Sequence, residues 1–210
     1  MTSARLHRRA FNLSLAAGAF APPAAAQARP VVTMLGDSIT AGYGLPPALA
    51  PPARLQAELD AMRVAAEVRG AGVPGDTTAA GLGRLEGAIR RDTVVCVVAL
   101  GANDRGRGYP ASMTRGNLDA IITRLKARGV SVVLAGLVLG ERPGGLPVAE
   151  FNAIFPGLAQ AHGLLFYPDL MAGVTRDLRL ADGAHPNPAG AELIARGLAP
   201  LVARALAARL

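Results

Sequence analysis

Cysteine is nearly absent from this chain. Cys96 is the only one among 210 residues, which excludes an internal disulfide in any compartment. It sits inside Val94-Val95-Cys96-Val97-Val98, where a buried thiol behaves as a small hydrophobe and its thiolate is disfavoured, so it is not read as a nucleophile. Histidine is almost as scarce. His7, His162 and His185 are the only three; His7 lies in the segment expected to be removed on export, and the two that remain, with no cysteine cluster to compensate, cannot make a histidine-rich metal site. Aromatic residues amount to 4% and are not interleaved with the arginines. The net charge of +7 is spread as single arginines, which reads as a solvated basic surface and excludes a nucleic-acid groove. Long apolar runs are missing too: Asn12 to Ala21 is too short and too weakly apolar to span a bilayer.

What the first 28 residues do contain is the layout of an export signal. Arg5, Arg8 and Arg9 form a basic start, the short apolar run follows, and Ala26-Gln27-Ala28 resembles a small-residue cleavage site. Arg8-Arg9-Ala10-Phe11 also resembles a twin-arginine motif, with His7 where a serine or threonine is usual. The competing reading is an uncleaved anchor or a disordered tail. The expectation is export to the periplasm or the medium. Removing this segment takes away three arginines and no acid, lowering the formal charge to +4. Residues 29–210 are long enough for one domain with a proper core and short for two, so a single domain is expected.

Along that domain, apolar runs alternate with helical periodicity. Strands are predicted at Pro30 to Leu35, Val64 to Arg69, Thr93 to Leu100, Val130 to Leu139 and Leu164 to Tyr167. Helices are predicted from Pro51 to about Met62, through Leu82, Leu85 and Ile89, and near Met113 to Arg128 with Gly129 as the stop. Two more are expected at Val148 to Ala161, kinked or broken at Pro156, and from Asn187 or Pro188 to about Leu210. Gly70 to Thr78 reads as a glycine-rich turn opening the second helix, with Asp76, Thr77 or Thr78 as its cap. Loops are expected at Arg105 to Gly108 and at Gly140 to Pro147. This alternation predicts an α/β three-layer sandwich around a five-stranded parallel sheet, with the flavodoxin-like order 2-1-3-4-5. Such an order makes neighbours of the turns at Ser38, Gly75 and Asn103, and lets the loop holding Asp182 and His185 fold over the same edge.

Taken singly, each of these residues has a plain structural explanation. Asp37, Ser38, Asn103 and Asp104 are ordinary helix caps, Asp182-Gly183 is an ordinary turn, and Gly75 suits a positive φ. Jointly they form a pattern. The chain resembles the SGNH, or GDSL-type, hydrolase superfamily, in its branch of arylesterases and lysophospholipase-like acyl thioesterases. Gly36-Asp37-Ser38-Ile39-Thr40 is similar to the nucleophile block and Gly72-Val73-Pro74-Gly75-Asp76-Thr77 to the glycine block. Gly101-Ala102-Asn103-Asp104 and Asp182-Gly183-Ala184-His185-Pro186-Asn187 are similar to the remaining two. The resemblance implies a serine hydrolase acting on small-molecule esters or thioesters without a cofactor. Ser38 would attack the carbonyl, His185 would carry the proton and Asp182 would orient the imidazole. The amides of Ser38 and Gly75 and the side chain of Asn103 would meet the oxyanion. One departure stands out: where that branch carries a Pro-Asn-Tyr-Gly-like loop after the fourth strand, this chain has Leu139 to Pro147, LGERPGGLP.

Three rival readings share these residues. Gly70-Ala71-Gly72-Val73-Pro74-Gly75 matches G-x-G-x-x-G of dinucleotide-binding folds, but it follows the second strand, and the next strand ends in Ala99-Leu100-Gly101 with no acidic residue. A carbohydrate O-acetyl esterase would use the same mechanism in a different pocket. A catalytically silent secreted binding protein would keep the fold alone. His162, in Ala161-His162-Gly163, is the competing base and reads as a helix-end histidine bonded to carbonyls.

Overall fold

The computed structural model describes residues 29–140 and 148–209. The expected export signal and most of the loop after the fourth strand lie outside the described residues. Five parallel strands form one sheet, β1 (Val31–Gly36), β2 (Glu67–Gly72), β3 (Thr93–Ala99), β4 (Ser131–Ala135) and β5 (Leu165–Tyr167), in the order β2-β1-β3-β4-β5. This is the order that the alternation of elements predicts. β1 is buried at every position and β3 at all but one, because strands covered by helices on both faces need continuous apolar sequence.

Eight helices accompany the sheet among the described residues: α1 (Ser38–Ala41), α2 (Pro51–Ala61), α3 (Thr78–Gly83), α4 (Leu85–Ala88), α5 (Ala102–Gly106), α6 (Ala111–Ala127), α7 (Ala149–His162) and α8 (Pro188–Ala207). One layer is built by α2 against α8, the other by α6 between α3 and α7. Their apolar faces close the core: Leu55 and Leu59 from α2, Leu118, Ile121, Ile122 and Leu125 from α6, and Ile194, Leu198 and Val202 from α8 are all fully buried.

Register decides where chemistry can happen. Gly36 of β1 pairs with Gly72 of β2 on one side and with Ala99 of β3 on the other. The residues that leave these strands, Asp37, Val73 and Leu100, therefore emerge in line along the carboxyl edge of the sheet. Open α/β sheets bind their ligands along this edge.

Several boundaries differ from expectation. β2 runs from Glu67 to Gly72 rather than from Val64 to Arg69, so Gly70 and Gly72 are strand residues and not a turn. Pairing with β1 overrides their poor strand propensity, and Gly72 is required by close approach. A Cβ there would overlap the amide nitrogen of Ala41 and sit 2.7 Å from the carbonyl carbon of Thr40. The segment after Gly75 is two short helices broken at Arg84, which adopts φ −100° and ψ 6° while its side chain reaches back to the sheet. β4 runs from Ser131 to Ala135 rather than from Val130 to Leu139, its last β5 partner being Tyr167. α5 covers Ala102–Gly106, so the first half of the loop predicted at Arg105 to Gly108 is helical. α7 runs through Pro156 without a break; the proline forfeits one backbone bond, but Phe151, Ile154, Phe155 and Leu158 bury both halves in the same core.

Candidate active site

The first strand delivers Ser38. Asp37 caps α1 by accepting the Ile39 amide at 3.0 Å, and Ser38 is the first helical residue. From 147 residues further on, His185 brings Nε2 to 2.8 Å from Ser38 Oγ. Its Nδ1 lies 2.6 Å from Asp182 Oδ2, while Asp182 Oδ1 accepts the amides of Ala184 and His185 at 2.9 and 3.0 Å. A single turn thus fixes both partners. The His185 hydrogen bond, helped by these amides, holds the Asp182 carboxyl down at about 2. An ionised Asp182 accepts the Nδ1 proton, leaving Nε2 free to accept from the serine hydroxyl.

The turn itself is braced by Arg179. Its guanidinium donates to the Gly183 carbonyl at 3.1 Å and twice to the Val174 carbonyl, at 3.2 and 3.1 Å. Leu180 donates to the His185 carbonyl at 2.8 Å, and Asn187 caps α8 immediately afterwards through the amides of Ala189 and Gly190.

Asn103 reaches the same spot from the end of β3. Its Nδ2 donates to the Asp76 carbonyl at 2.8 Å and, more weakly, to Asp37 Oδ2 at 3.3 Å. Gly75 adopts φ 81° and its carbonyl accepts from Arg107 at 2.8 Å; it does not line the cleft that holds Ser38, Asn103 and His185. Two further networks tie the motifs together. Arg84 donates to Asp76 Oδ2 at 2.6 Å, to the Gly36 carbonyl at 3.0 Å and to the Ala71 carbonyl at 2.8 Å. Fully buried Asp104 accepts the Thr78 amide at 2.9 Å, the Thr78 hydroxyl, and the Thr114 hydroxyl at 3.3 Å. Asp76 and Asp104 were legible as motif-block residues and possible caps but not as partners of Arg84 and of Thr78 and Thr114, and the side chains of Arg84, Arg107 and Arg179 were not legible as parts of the site. For Arg107 and Arg179 the available signal was position, four residues after Asn103 and three before Asp182.

Asp37 is only 4% exposed. Burial pushes its carboxyl up to about 6, against the opposing Ile39 amide and the His185 charge. The cleft beside it measures about 490 Å³ and is lined on its apolar side by Ile39, Leu137, Val138, Leu139 and Met171. Asn152 pins that wall, its side chain pairing with both the amide and the carbonyl of Leu139, at 3.0 and 3.1 Å.

His162 lies elsewhere. It ends α7 at the opposite edge of the sheet, paired with Asp119 at 2.7 Å, while its carbonyl accepts from Lys126. Cys96 is buried in β3, its thiol pushed up to about 12 by desolvation. Gly70 and Gly72 stand inside β2, so the G-x-G-x-x-G match is not a phosphate-cradling loop opening a helix. Among the described residues, no group of three or more His, Cys, Asp or Glu side chains could hold a metal ion.

The family model of the GDSL-like lipase/acylhydrolase family matches residues 34–193, from β1 to α8. The chain belongs to this family. An arylesterase of Vibrio mimicus is 32% identical over 188 residues, 86% of this chain and 92% of the relative. Thioesterase 1/protease 1/lysophospholipase L1 of Escherichia coli K12 is 33% identical over 184 residues, covering 84% and 87% of the two chains. Among solved structures, TesA superposes with a TM-score of 0.76 at 28% identity, over 83% of this chain and 99% of its own. The SGNH-hydrolase family esterase AlinE4 gives 0.69 at 33% identity, over 87% and 99%. This GDSL-family chain is accordingly an SGNH-type hydrolase of the esterase and thioesterase class, as its four motif blocks imply.

Proposed function

We propose that the chain is an exported serine esterase or thioesterase in which Ser38 forms an acyl-enzyme. The observation that carries this reading is the hydrogen-bonded series Ser38 Oγ, His185 Nε2, His185 Nδ1, Asp182 Oδ2, with steps of 2.8 and 2.6 Å. Ser38 Oγ attacks the substrate carbonyl carbon as its proton passes to His185 Nε2. Asp182, already ionised, steadies the imidazolium and takes up no proton. Collapse of the tetrahedral intermediate breaks the bond to the leaving oxygen or sulfur, which receives the proton from His185. Water then attacks the acyl-enzyme with His185 as base, releasing the acid and restoring Ser38.

The oxyanion is assigned to the amides of Ser38 and Gly75 and to Nδ2 of Asn103. Ser38 and Asn103 line the cleft itself, and Gly75 stands just outside its wall, next to Asp76, whose carbonyl holds the Asn103 side chain. The 2.8 Å bond to the Asp76 carbonyl fixes the plane of that side chain, and the long 3.3 Å contact to Asp37 marks the N–H that turns to the substrate. An apolar wall of Ile39, Leu137, Val138, Leu139 and Met171 supports an acyl group as the part bound in the cleft. Relatives named as arylesterase and as thioesterase and lysophospholipase support small-molecule esters and thioesters as the substrate class. The basic and apolar layout of residues 1–28 supports export to the periplasm or the medium.

A fluorophosphonate probe tests the nucleophile directly. The wild-type chain is expected to gain one adduct, mapped by peptide mass to Ser38, and Ser38→Ala to gain none. An adduct on another residue, or ester hydrolysis that survives full labelling, would overturn the assignment.

A further inference from the structure

Tyr43 is among the few large apolar side chains left exposed, at 54%. Its ring nevertheless lies against the imidazole of His185, with centroids 4.7 Å apart and planes tilted by 40°. The backbone explains why it is there. α1 is a single turn that begins at Ser38 and closes at Gly42, which adopts the left-handed conformation with φ 70°. Gly42 donates to the Ile39 carbonyl at 3.1 Å, and Tyr43 donates to the carbonyl of Ser38 at 3.0 Å. These are the two bonds of a Schellman closure, which places the residue after the left-handed glycine at a fixed position relative to the start of the turn. No other residue fits at Gly42, since a Cβ there would overlap the side chain of Ala50 and lie 2.9 Å from its Cα.

One helical turn therefore carries Ser38 at one end and an aromatic ring at the other, and His185 touches both. Its Nε2 faces Ser38 Oγ at 2.8 Å and its ring faces Tyr43. The charged groups around this imidazole are Asp182, in direct contact, and Asp37, Asp169 and Arg179 along the same cleft.

We propose that Tyr43 is a positioning residue for His185: its ring holds the imidazole in line with Ser38 and attracts the imidazolium that forms when His185 takes the serine proton. An aromatic face within about 6 Å of a cation attracts it, and a ring packed on one side removes rotamers that would swing Nε2 away. The contact is made by the ring, so the phenolic hydroxyl is dispensable. This inference rests on the reading of Ser38 and His185 as nucleophile and base.

The test compares Tyr43→Phe with the non-aromatic Tyr43→Leu and Tyr43→Met on a p-nitrophenyl ester, together with NMR of the histidine ring protons without substrate. Phenylalanine is expected to keep kcat within about twofold. Leucine and methionine should lower kcat by roughly three- to tenfold with KM little changed, from the lost cation–π attraction and looser orientation. The His185 ring signals, displaced by the Tyr43 ring current, should stay in place in Tyr43→Phe and move in both non-aromatic variants, while those of His162 do not move. Having two non-aromatic replacements keeps the comparison open if one fails to fold. Unchanged kcat in the leucine and methionine variants would overturn the proposal. So would an equal loss in phenylalanine, which would make the hydroxyl the active part, or a rise confined to KM, which would make Tyr43 a substrate contact. The ring signals report the contact whether or not the enzyme turns over. If Ser38→Ala keeps full activity, it is the serine reading that fails.

Discussion

Asp37 stands one residue before the nucleophile with its carboxyl buried and pushed up to about 6 by desolvation. A carboxyl whose pKa is raised on folding binds its proton more tightly in the native than in the unfolded state. Its ionisation therefore destabilises the fold as pH rises from the ordinary carboxylate range through 6, and protonation restores that stability as pH falls. Asp37→Asn keeps an oxygen for the Ile39 amide and removes the charge. Urea unfolding of both chains at pH 4.5 and 7.5 should show the variant gaining on the wild type by about 1–3 kcal/mol at the higher pH. A gap that is the same at both would mean that burial does not raise this group. In the sequence Asp37 reads as a helix cap, and it is one. Its burial was not legible, because that depends on neighbours brought in by β3 and by the glycine turn.

At the scale of elements, α1 lies directly on the end of β2. Gly72→Ala would drive a methyl group into the backbone of Thr40 and Ala41, 2.7 Å from the Thr40 carbonyl carbon and 2.8 Å from the Ala41 Cα. Backbone cannot step aside as a flexible side chain can, so the expected loss is on the order of 1–3 kcal/mol or more. Activity should fall with it, since α1 holds Ser38 and positions Tyr43. Gly87→Ala, in α4 where an added Cβ meets nothing within 4 Å, is the control and should be neutral or slightly stabilising by helix propensity. Thermal melts and ester kinetics of the two variants check this; equal behaviour would remove the α1 contact from the account. β2 is also where the sequence misled most. Its glycines carry a turn signal by composition, yet the register with β1 makes them strand, and pairing partners are not visible in a local window. The helix over Leu82, Leu85 and Ile89 was read as continuous for a related reason. Its break at Arg84 lets that side chain reach the carbonyls of Gly36 and Ala71, both distant in sequence.

For the whole molecule, strands alternating with helices fixed a parallel sheet, and the order β2-β1-β3-β4-β5 then gathers the three strand-end motifs along one edge. Ser38, Asp182 and His185 could be proposed from the sequence only jointly, through the four blocks that resemble those of SGNH hydrolases. Singly each reads as a cap or a turn, and their approach to within 2.8 and 2.6 Å is a feature of the fold. Arg84, Arg107 and Arg179 were not legible. They act on backbone carbonyls, whose positions exist only once the chain is folded, and among 22 basic residues nothing distinguishes them. The central claim is that hydrolysis passes through Ser38. Its most direct test is turnover by residues 29–210, as wild type and as Ser38→Ala, on p-nitrophenyl esters from acetyl to long acyl and on an acyl-CoA series. The account predicts that only the wild type turns over, with kcat for Ser38→Ala lower by on the order of 10⁶ and EDTA without effect on either. Comparable turnover by the two chains would contradict it.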